Sequence, residues 1–255
     1  MSRLLLGRVA LVTGGGSGIG RATALAFAKE GARVVVACRT VEKGEDTIRL
    51  IREAGREGVF VKGDVSKADE VASLVAKTVE TYGQLDCAFN NAGILGDKAP
   101  TEQCTEGNWN RVIDTNLKGV WLCMKYEIRQ MLKQGRGVIV NTSSLSGLAG
   151  HGHGLPAYIA SKHGVLGLTK AAALEYARKG IRVNAVCPSP TLTPMIENIF
   201  RADPALAEYA SSVQPMGRLA TPDEIAAAVI WLCSDAASFV TGHAMAVDGG
   251  RFASE

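Results

Sequence analysis

Tyr158 and Lys162 stand four residues apart in the run Pro156-Ala157-Tyr158-Ile159-Ala160-Ser161-Lys162. On a helix that spacing puts a phenol and an ammonium on the same face. Such a pair is suited to general acid/base chemistry. A free tyrosine titrates near pH ~10, so a phenolate useful near neutrality must be favoured by about three units, roughly 4 kcal/mol. A unit positive charge about 4 Å away, at an effective dielectric of about 20, is worth roughly that much. The spacing also arises by chance on exposed helices, so its meaning depends on what the rest of the chain brings beside it.

Two other groups of residues bear on chemistry. The run Gly137-Val138-Ile139-Val140-Asn141-Thr142 reads as a strand and ends in Ser143-Ser144-Leu145-Ser146-Gly147. A hydroxyl at such an edge can hold a substrate oxygen against the tyrosine, and Ser143, Ser144 and Ser146 all qualify. Near the start, Thr13-Gly14-Gly15-Gly16-Ser17-Gly18-Ile19-Gly20 follows an apolar run and leads into Arg21-Ala22-Thr23-Ala24. Glycine there lets the backbone turn tightly and approach a pyrophosphate, whose charge then faces the free amides of the helix. The spacing is Gly14-x-x-x-Gly18-x-Gly20, onto which Gly-x-Gly-x-x-Gly cannot be laid. Further on, at Val36-Ala37-Cys38-Arg39-Thr40, a carboxylate would accept from a ribose 2′-hydroxyl and repel a 2′-phosphate. The chain has Cys38 there, followed by Arg39, whose guanidinium suits a phosphate.

These residues need elements to hold them. Apolar, β-branched runs recur at Val9-Ala10-Leu11-Val12, Val34-Val35-Val36, Val59-Phe60-Val61, Ala88-Phe89, Val138-Ile139-Val140, Ile181-Arg182-Val183-Asn184-Ala185-Val186 and Ala244-Met245-Ala246-Val247. They read as parallel strands buried on both faces. Helical periodicity alternates with them over residues 22–30, 71–81, 109–132, 157–178 and 222–232, the last led by Thr221-Pro222-Asp223-Glu224. This alternation predicts an α/β, doubly wound Rossmann-like fold, with ligand outside the carboxyl ends of the strands. Neither a linker nor a repeat divides the 255 residues, so one domain spanning 1–255 is expected. Residues 188–216 carry five of the eight prolines and break the rhythm, as a segment covering the site would.

Bulk properties exclude other classes. The net charge is +3 with basic residues spread along the chain, which gives nucleic acid or a membrane surface nothing to grip. The six cysteines form no Cys-x-x-Cys pair and read as reduced thiols of a cytoplasmic protein. The first apolar run is too short for a signal peptide, and no stretch of about 18 apolar residues exists. His151-x-His153 lacks the cysteine or carboxylate partners of a tetrahedral site, so no metal is expected and substrate contact is the reading. Trp109, Trp121, Met124, Trp231 and Met245 fall at core spacings. Leu206, Tyr209, Val213 and Met216 either wall a pocket or lie under a lid.

Taken in order, the motifs resemble those of the short-chain dehydrogenase/reductase family over essentially the whole chain. Thr13-Gly14-x-x-x-Gly18-Ile19-Gly20 matches its nucleotide turn, Asn90-Asn91-Ala92-Gly93 its fourth-strand motif, Asn116 its helix asparagine, Ser143-Ser144-x-x-Gly147 its serine strand end, and Tyr158-x-x-x-Lys162 its base. The resemblance implies a seven-stranded parallel sheet and a hydride transfer between NADP(H) and a ketone or secondary alcohol. It makes Tyr158 the general acid/base, Lys162 its activator and holder of the nicotinamide ribose, Asn116 the anchor of a proton-relaying water, and Ser144 the substrate hydroxyl. Ser143 and Ser146 stay as alternatives, because Ser144 precedes Tyr158 by fourteen residues, one more than in many relatives. Cofactor contacts are expected from Gly14, Ser17, Gly18, Ile19, Gly20, Arg39, Asp64, Val65, Asn90, Ala92, Gly93, Tyr158, Lys162, Pro188, Thr191 and Thr193. NADP(H) is favoured through Arg39, with NAD(H) the alternative. Asp64 equally suits capping a helix that begins near Lys67. Ser189 stands where the family has glycine, which would strain a turn needing positive φ. The end, Val247-Asp248-Gly249-Gly250, resembles the segment through which relatives form homotetramers. The competing readings are a 3-ketoacyl thioester reductase, an NAD-dependent sugar or steroid dehydrogenase, and a catalytically silent dinucleotide sensor.

Overall fold

The computed structural model describes residues 3–254. Its strands are β1 Val9–Thr13, β2 Arg33–Cys38, β3 Gly58–Lys62, β4 Cys87–Asn90, β5 Gly137–Thr142, β6 Ile181–Pro188 and β7 Ala244–Val247. They form one parallel seven-stranded sheet in the order β3-β2-β1-β4-β5-β6-β7. The order reverses between β1 and β4, which opens a crevice at their carboxyl ends. Register carries that edge across the sheet, with Thr13 opposite Asn90, Asn90 opposite Asn141 and Asn141 opposite Ala185.

The double-sided apolar character of the strands follows from helices on both faces. The helices are α1 Gly18–Lys29, α2 Val41–Glu53, α3 Ala68–Tyr82, α4 Glu106–Ile113, α5 Gly119–Gln134, α6 Pro156–Tyr176, α7 Pro194–Ala202, α8 Pro204–Ser212 and α9 Pro222–Cys233. Ala10, Val12, Val34 and Val36 pack with Phe27, Ile48 and Val229 of α1, α2 and α9. Their neighbours Val9, Leu11 and Val35 pack on the other face with Leu74, Met131 and Val165 of α3, α5 and α6. The alternation is the two-residue period of a strand, with both phases buried.

Several expectations change. The helical stretch over 109–132 is interrupted by a π turn at Asp114–Lys118, between α4 and α5. Two of the five prolines of 188–216 start helices: Pro194 and Pro204 open α7 and α8, capped by Thr193 and Asp203. Proline's missing N–H costs nothing at a first helical turn. The Thr221 capping box behaves as read, its hydroxyl accepting from Glu224 N while the Glu224 carboxylate accepts from Thr221 N. Asp64 does not cap α3: Lys67 holds that position, and Asp64 accepts instead from Ser66 N and Oγ at 3.0 and 2.8 Å. Met124 lies in the core, but Trp109, Trp121 and Trp231 are 41%, 45% and 38% exposed on the outer faces of their helices. A helical period places them one step beyond the buried stripe. Among the described residues no helix is long and apolar enough to cross a membrane.

Candidate active site

The glycine turn links β1 to α1. Gly14 has φ +65°, and a Cβ there would stand 2.9 Å from Ala92 Cα. A Cβ on Gly20 would strike the Gly14 carbonyl oxygen, so the helix can seat against the turn only with glycine. Ser17, the residue before α1, makes no side-chain cap bond, which leaves the first amides of the helix to another acceptor. Uncapped amides at the positive end of a helix suit the charge of a pyrophosphate. Arg21, which motif reading missed, locks it from below. Its guanidinium donates to the Gly16 carbonyl at 2.8 Å and to Thr47 Oγ1 at 3.1 Å, and it pairs with Asp46 at 2.9 Å. Its place directly after Gly20 was the available signal.

β4 lies against the turn. Thr13 Oγ1 accepts from the amides of Asn91 and Ala92 at 3.0 and 3.2 Å, and Asn91 Nδ2 donates to the Thr13 carbonyl at 3.3 Å. Ala92 and Gly93 therefore border the cleft. Asn90 is turned away from it, 1% exposed, with its amide donating to Glu127 and Asn141 inside the protein, so a ligand in the cleft would meet only its backbone. At the ends of β2 and β3, Arg39 is exposed and its charge reaches Asp64. The Asp64 carboxyl is held low: its partial burial works the other way, and the Ser66 hydrogen bonds and the Arg39 charge outweigh it. Lys43 of α2 adds a second cation that the motifs did not reveal, its Cβ 3.0 Å from a Cβ placed on Gly16. Val65 packs under this edge with Val71 and Leu122.

The acid/base group gathers at the ends of β5 and α6. Ser144 lies beside the Tyr158 phenol and favours its ionised form, and its Oγ accepts from Ser146 N at 3.1 Å. Ser143 is turned inward, 2% exposed, donating to the Lys162 carbonyl at 2.8 Å. Ser146 donates or accepts at His151 Nε2, 2.8 Å away, and the His151 ring lies 4.7 Å from that of His153. Of the three serines, geometry therefore brings Ser144 to the tyrosine. Lys162 Nζ donates to the Thr142 carbonyl at 2.8 Å and lies over the Tyr158 ring, 5.6 Å from its centre. Burial raises the Tyr158 phenol above its usual value, the neighbouring Ser144 working the other way. Burial likewise lowers Lys162 to about 8, with Cys187 opposing. The phenol is thus neutral at pH 7, as a proton donor must be.

Asn116 lies in the π turn, fully buried. It receives Ile94 N on Oδ1 and donates to the Ile94 carbonyl, both at 2.8 Å, and to Ser161 Oγ at 3.3 Å. It ties the loop after Gly93 to the helix of Tyr158, and the π turn aims it there. From β6, Pro188 leads to Thr191, whose Oγ1 donates to the Ser189 carbonyl at 2.9 Å, and to Thr193, whose methyl would lie 3.1 Å from a Cβ on Gly18. The 188–193 segment therefore reaches back to the glycine turn. No described non-glycine residue has positive φ, so Ser189 sits there without strain.

A family profile described as enoyl-(acyl carrier protein) reductase matches residues 14–251, which include every residue of this site but Thr13. The chain belongs to the short-chain dehydrogenase/reductase family. Among curated short-chain dehydrogenase/reductase relatives, 2,5-dichloro-2,5-cyclohexadiene-1,4-diol dehydrogenase of Sphingobium indicum is 42% identical, covering 96% of this chain and 97% of its own. Cyclohexanol dehydrogenase of an Acinetobacter species is 44% identical over 98% of this chain and 96% of its own. The crystal structure of levodione reductase superposes with a TM-score of 0.95 at 41% identity, over 98% of this chain and 100% of that one. As a short-chain dehydrogenase/reductase, this chain is an NAD(P)-dependent oxidoreductase that transfers hydride at alcohol and ketone groups.

Proposed function

We propose that this short-chain dehydrogenase/reductase interconverts a ring secondary alcohol and its ketone, preferring NADP(H) to NAD(H). The observation that carries the reading is that Ser144, Tyr158 and Lys162 meet at the sheet edge that also bears the glycine turn, with Lys162 Nζ held on the Thr142 carbonyl at 2.8 Å. A bound nicotinamide dinucleotide supplies or accepts the hydride. Gly14, Ser17, Gly18, Ile19 and Gly20 hold its pyrophosphate; Asp64 and Val65 border the adenine, and Asn90 to Gly93 line the inner wall through backbone. Pro188, Thr191 and Thr193 meet the nicotinamide end. Ser144 holds the substrate oxygen, Tyr158 gives it a proton in reduction or takes one in oxidation, and Lys162 supplies the charge that eases the latter. Asn116, already satisfied by Ile94, acts by fixing the loop and leaves any water to be held by its carbonyl oxygen.

Arg39 and Lys43 support the NADP(H) preference, because no carboxylate ends β2 and two cations flank that edge. The ring substrate is supported by the names of the relatives, two of which are cyclohexanol and cyclohexadienediol dehydrogenases. The two helices of 188–216 cover the substrate, with Tyr209 and Met216 still 52% and 64% exposed. We further propose a cytoplasmic homotetramer whose 255 residues form one domain. The deciding experiment is a panel of cyclic and open-chain ketones and alcohols run with NADPH and NADH in parallel. Turnover of cyclohexanone-type substrates with higher kcat/KM for NADPH is expected. Activity confined to thioester-linked substrates, or a clear NADH preference, would refute the corresponding half of the proposal; dinucleotide binding without turnover would make the protein a sensor.

A further inference from the structure

Glu127 of α5 is a carboxyl that the hydride-transfer site does not use. It is fully buried, and Asn90 Nδ2 donates to its Oε2 at 2.9 Å. The same Asn90 amide donates to Asn141 Oδ1 at 3.1 Å, and Asn141 Nδ2 donates to Thr169 Oγ1 at 3.0 Å, so one polar chain joins α5, β4, β5 and α6. Two acceptors of this chain are buried without a hydrogen-bond partner: Glu127 Oε1 and Asn90 Oδ1. An ionised Glu127 would leave both so, and would place an unbalanced charge in the core.

A single proton resolves both difficulties. Placed on Glu127 Oε1, it turns an acceptor into the donor that Asn90 Oδ1 lacks, and an acid facing an amide can then make two antiparallel hydrogen bonds. We infer that Glu127 is held as a neutral carboxylic acid clasping Asn90, and that this clasp positions the carboxyl ends of β4 and β5 beside the dinucleotide. Glu127 is a positioning residue. Asn90 is followed by Asn91, which ties β4 to the glycine turn, and Asn141 by Thr142, whose carbonyl holds Lys162 Nζ. The positioning role rests on the dinucleotide site proposed above; the protonation does not.

The surroundings agree. Burial raises the Glu127 carboxyl to about 7, the Asn90 hydrogen bond opposing. Cys123, one turn earlier on α5, is the titratable group facing it, and burial raises that thiol well above its usual range. From β4, β5 and α6 the facing groups are Asn90, Asn141 and Thr169, all neutral, while Lys162, two turns before Thr169, is committed to the Thr142 carbonyl. With its affinity for a proton higher folded than unfolded, Glu127 adds no penalty below its unfolded pKa of 4.5 and a full one above about 7. Stability therefore falls as pH rises through that window.

Infrared spectroscopy of the wild type tests the protonation directly. A carboxylic-acid carbonyl band is expected below pH about 7, fading above it and absent from Glu127→Gln. Glutamine makes the same two bonds without titrating, so it keeps the clasp closed at every pH. NADPH titration followed by fluorescence tests positioning. From below to above the transition, the wild-type Kd should rise at least about threefold relative to Glu127→Gln, whose profile lacks this limb. A wild type without the acid band overturns the protonation, even if the variant fails to fold. A band accompanied by identical pH profiles for NADPH in the two proteins overturns the positioning role. Failure of the wild type to bind either dinucleotide at any pH overturns the proposed cofactor site, and the positioning role with it.

Discussion

The Tyr158 phenol is where sequence arithmetic and structure part. Four-residue spacing suggested an ammonium close enough to favour the phenolate, yet Lys162 gives its Nζ to the Thr142 carbonyl, and burial leaves the phenol higher than usual. Burial outweighs the neighbouring Ser144, which acts the other way. A phenol protonated at neutral pH favours reduction; oxidation needs the proton gone. We expect log kcat/KM for the alcohol to climb as pH rises into the alkaline range, while that for the ketone falls. A flat oxidative profile from neutral to alkaline pH would remove Tyr158 from the role of base. Tyr158→Phe should lower kcat about 10²–10⁴-fold in both directions. Its NADPH affinity, measured by fluorescence, should stay close to wild type. At the other end of the cleft, Arg39→Ala should raise the KM for NADPH about tenfold, the worth of a charge-assisted hydrogen bond, and leave NADH nearly unaffected. Equal losses for the two would make Arg39 a solvated loop residue.

Elements show what a linear reading can and cannot resolve. The strands were legible because both of their faces are buried, as Val34 and Val36 on one side and Val35 on the other illustrate. The glycine turn was legible because Gly14 and Gly20 answer a local steric demand written in consecutive residues. The π turn at Asp114–Lys118 was not, since its cause is tertiary: Asn116 must reach both Ile94 and Ser161. Arg21, Lys43 and Glu127 escaped for a similar reason, as each acts on residues distant in sequence. The loop between Ser146 and Tyr158 belongs with these. It is pinned where Ser146 and His151 pair at 2.8 Å and the Gly154 carbonyl accepts from Ala99 N at 2.8 Å. The Ser146–His151 pair fixes the loop that leads from Ser144 to Tyr158. His151→Ala should therefore lower kcat/KM for a cyclohexane-1,4-diol and for cyclohexanol alike. A loss confined to the diol would make His151 a substrate contact instead.

At the scale of the whole molecule, the misread tryptophans point outward and bear on the proposed tetramer. Trp121 and Leu174 lie on α5 and α6, on one side of the sheet, 45% and 85% exposed. Trp231 of α9 and the following Phe239, 38% and 104% exposed, belong to the opposite side. After β7 the backbone makes a tight turn, where Asp248 accepts from Gly250 N and Phe252 N at 3.0 and 2.7 Å and Phe252 is 43% exposed. A large aromatic in water forfeits about 1.5–3 kcal/mol that burial would return, so two such faces are better explained as two interfaces than as chance. We propose that each face pairs with its own copy about a two-fold axis; two different faces of that kind on one chain close into a tetramer with three perpendicular axes. Light scattering should therefore give four chains for the wild type. Trp121→Glu with Leu174→Glu, or Trp231→Glu with Phe239→Glu, should each leave a dimer, and the four changes together a monomer. A monomeric wild type would reject the assembly outright. A pair of changes that drives the tetramer straight to monomers would reject the independence of the two faces, and would mean that the end of the chain bridges them.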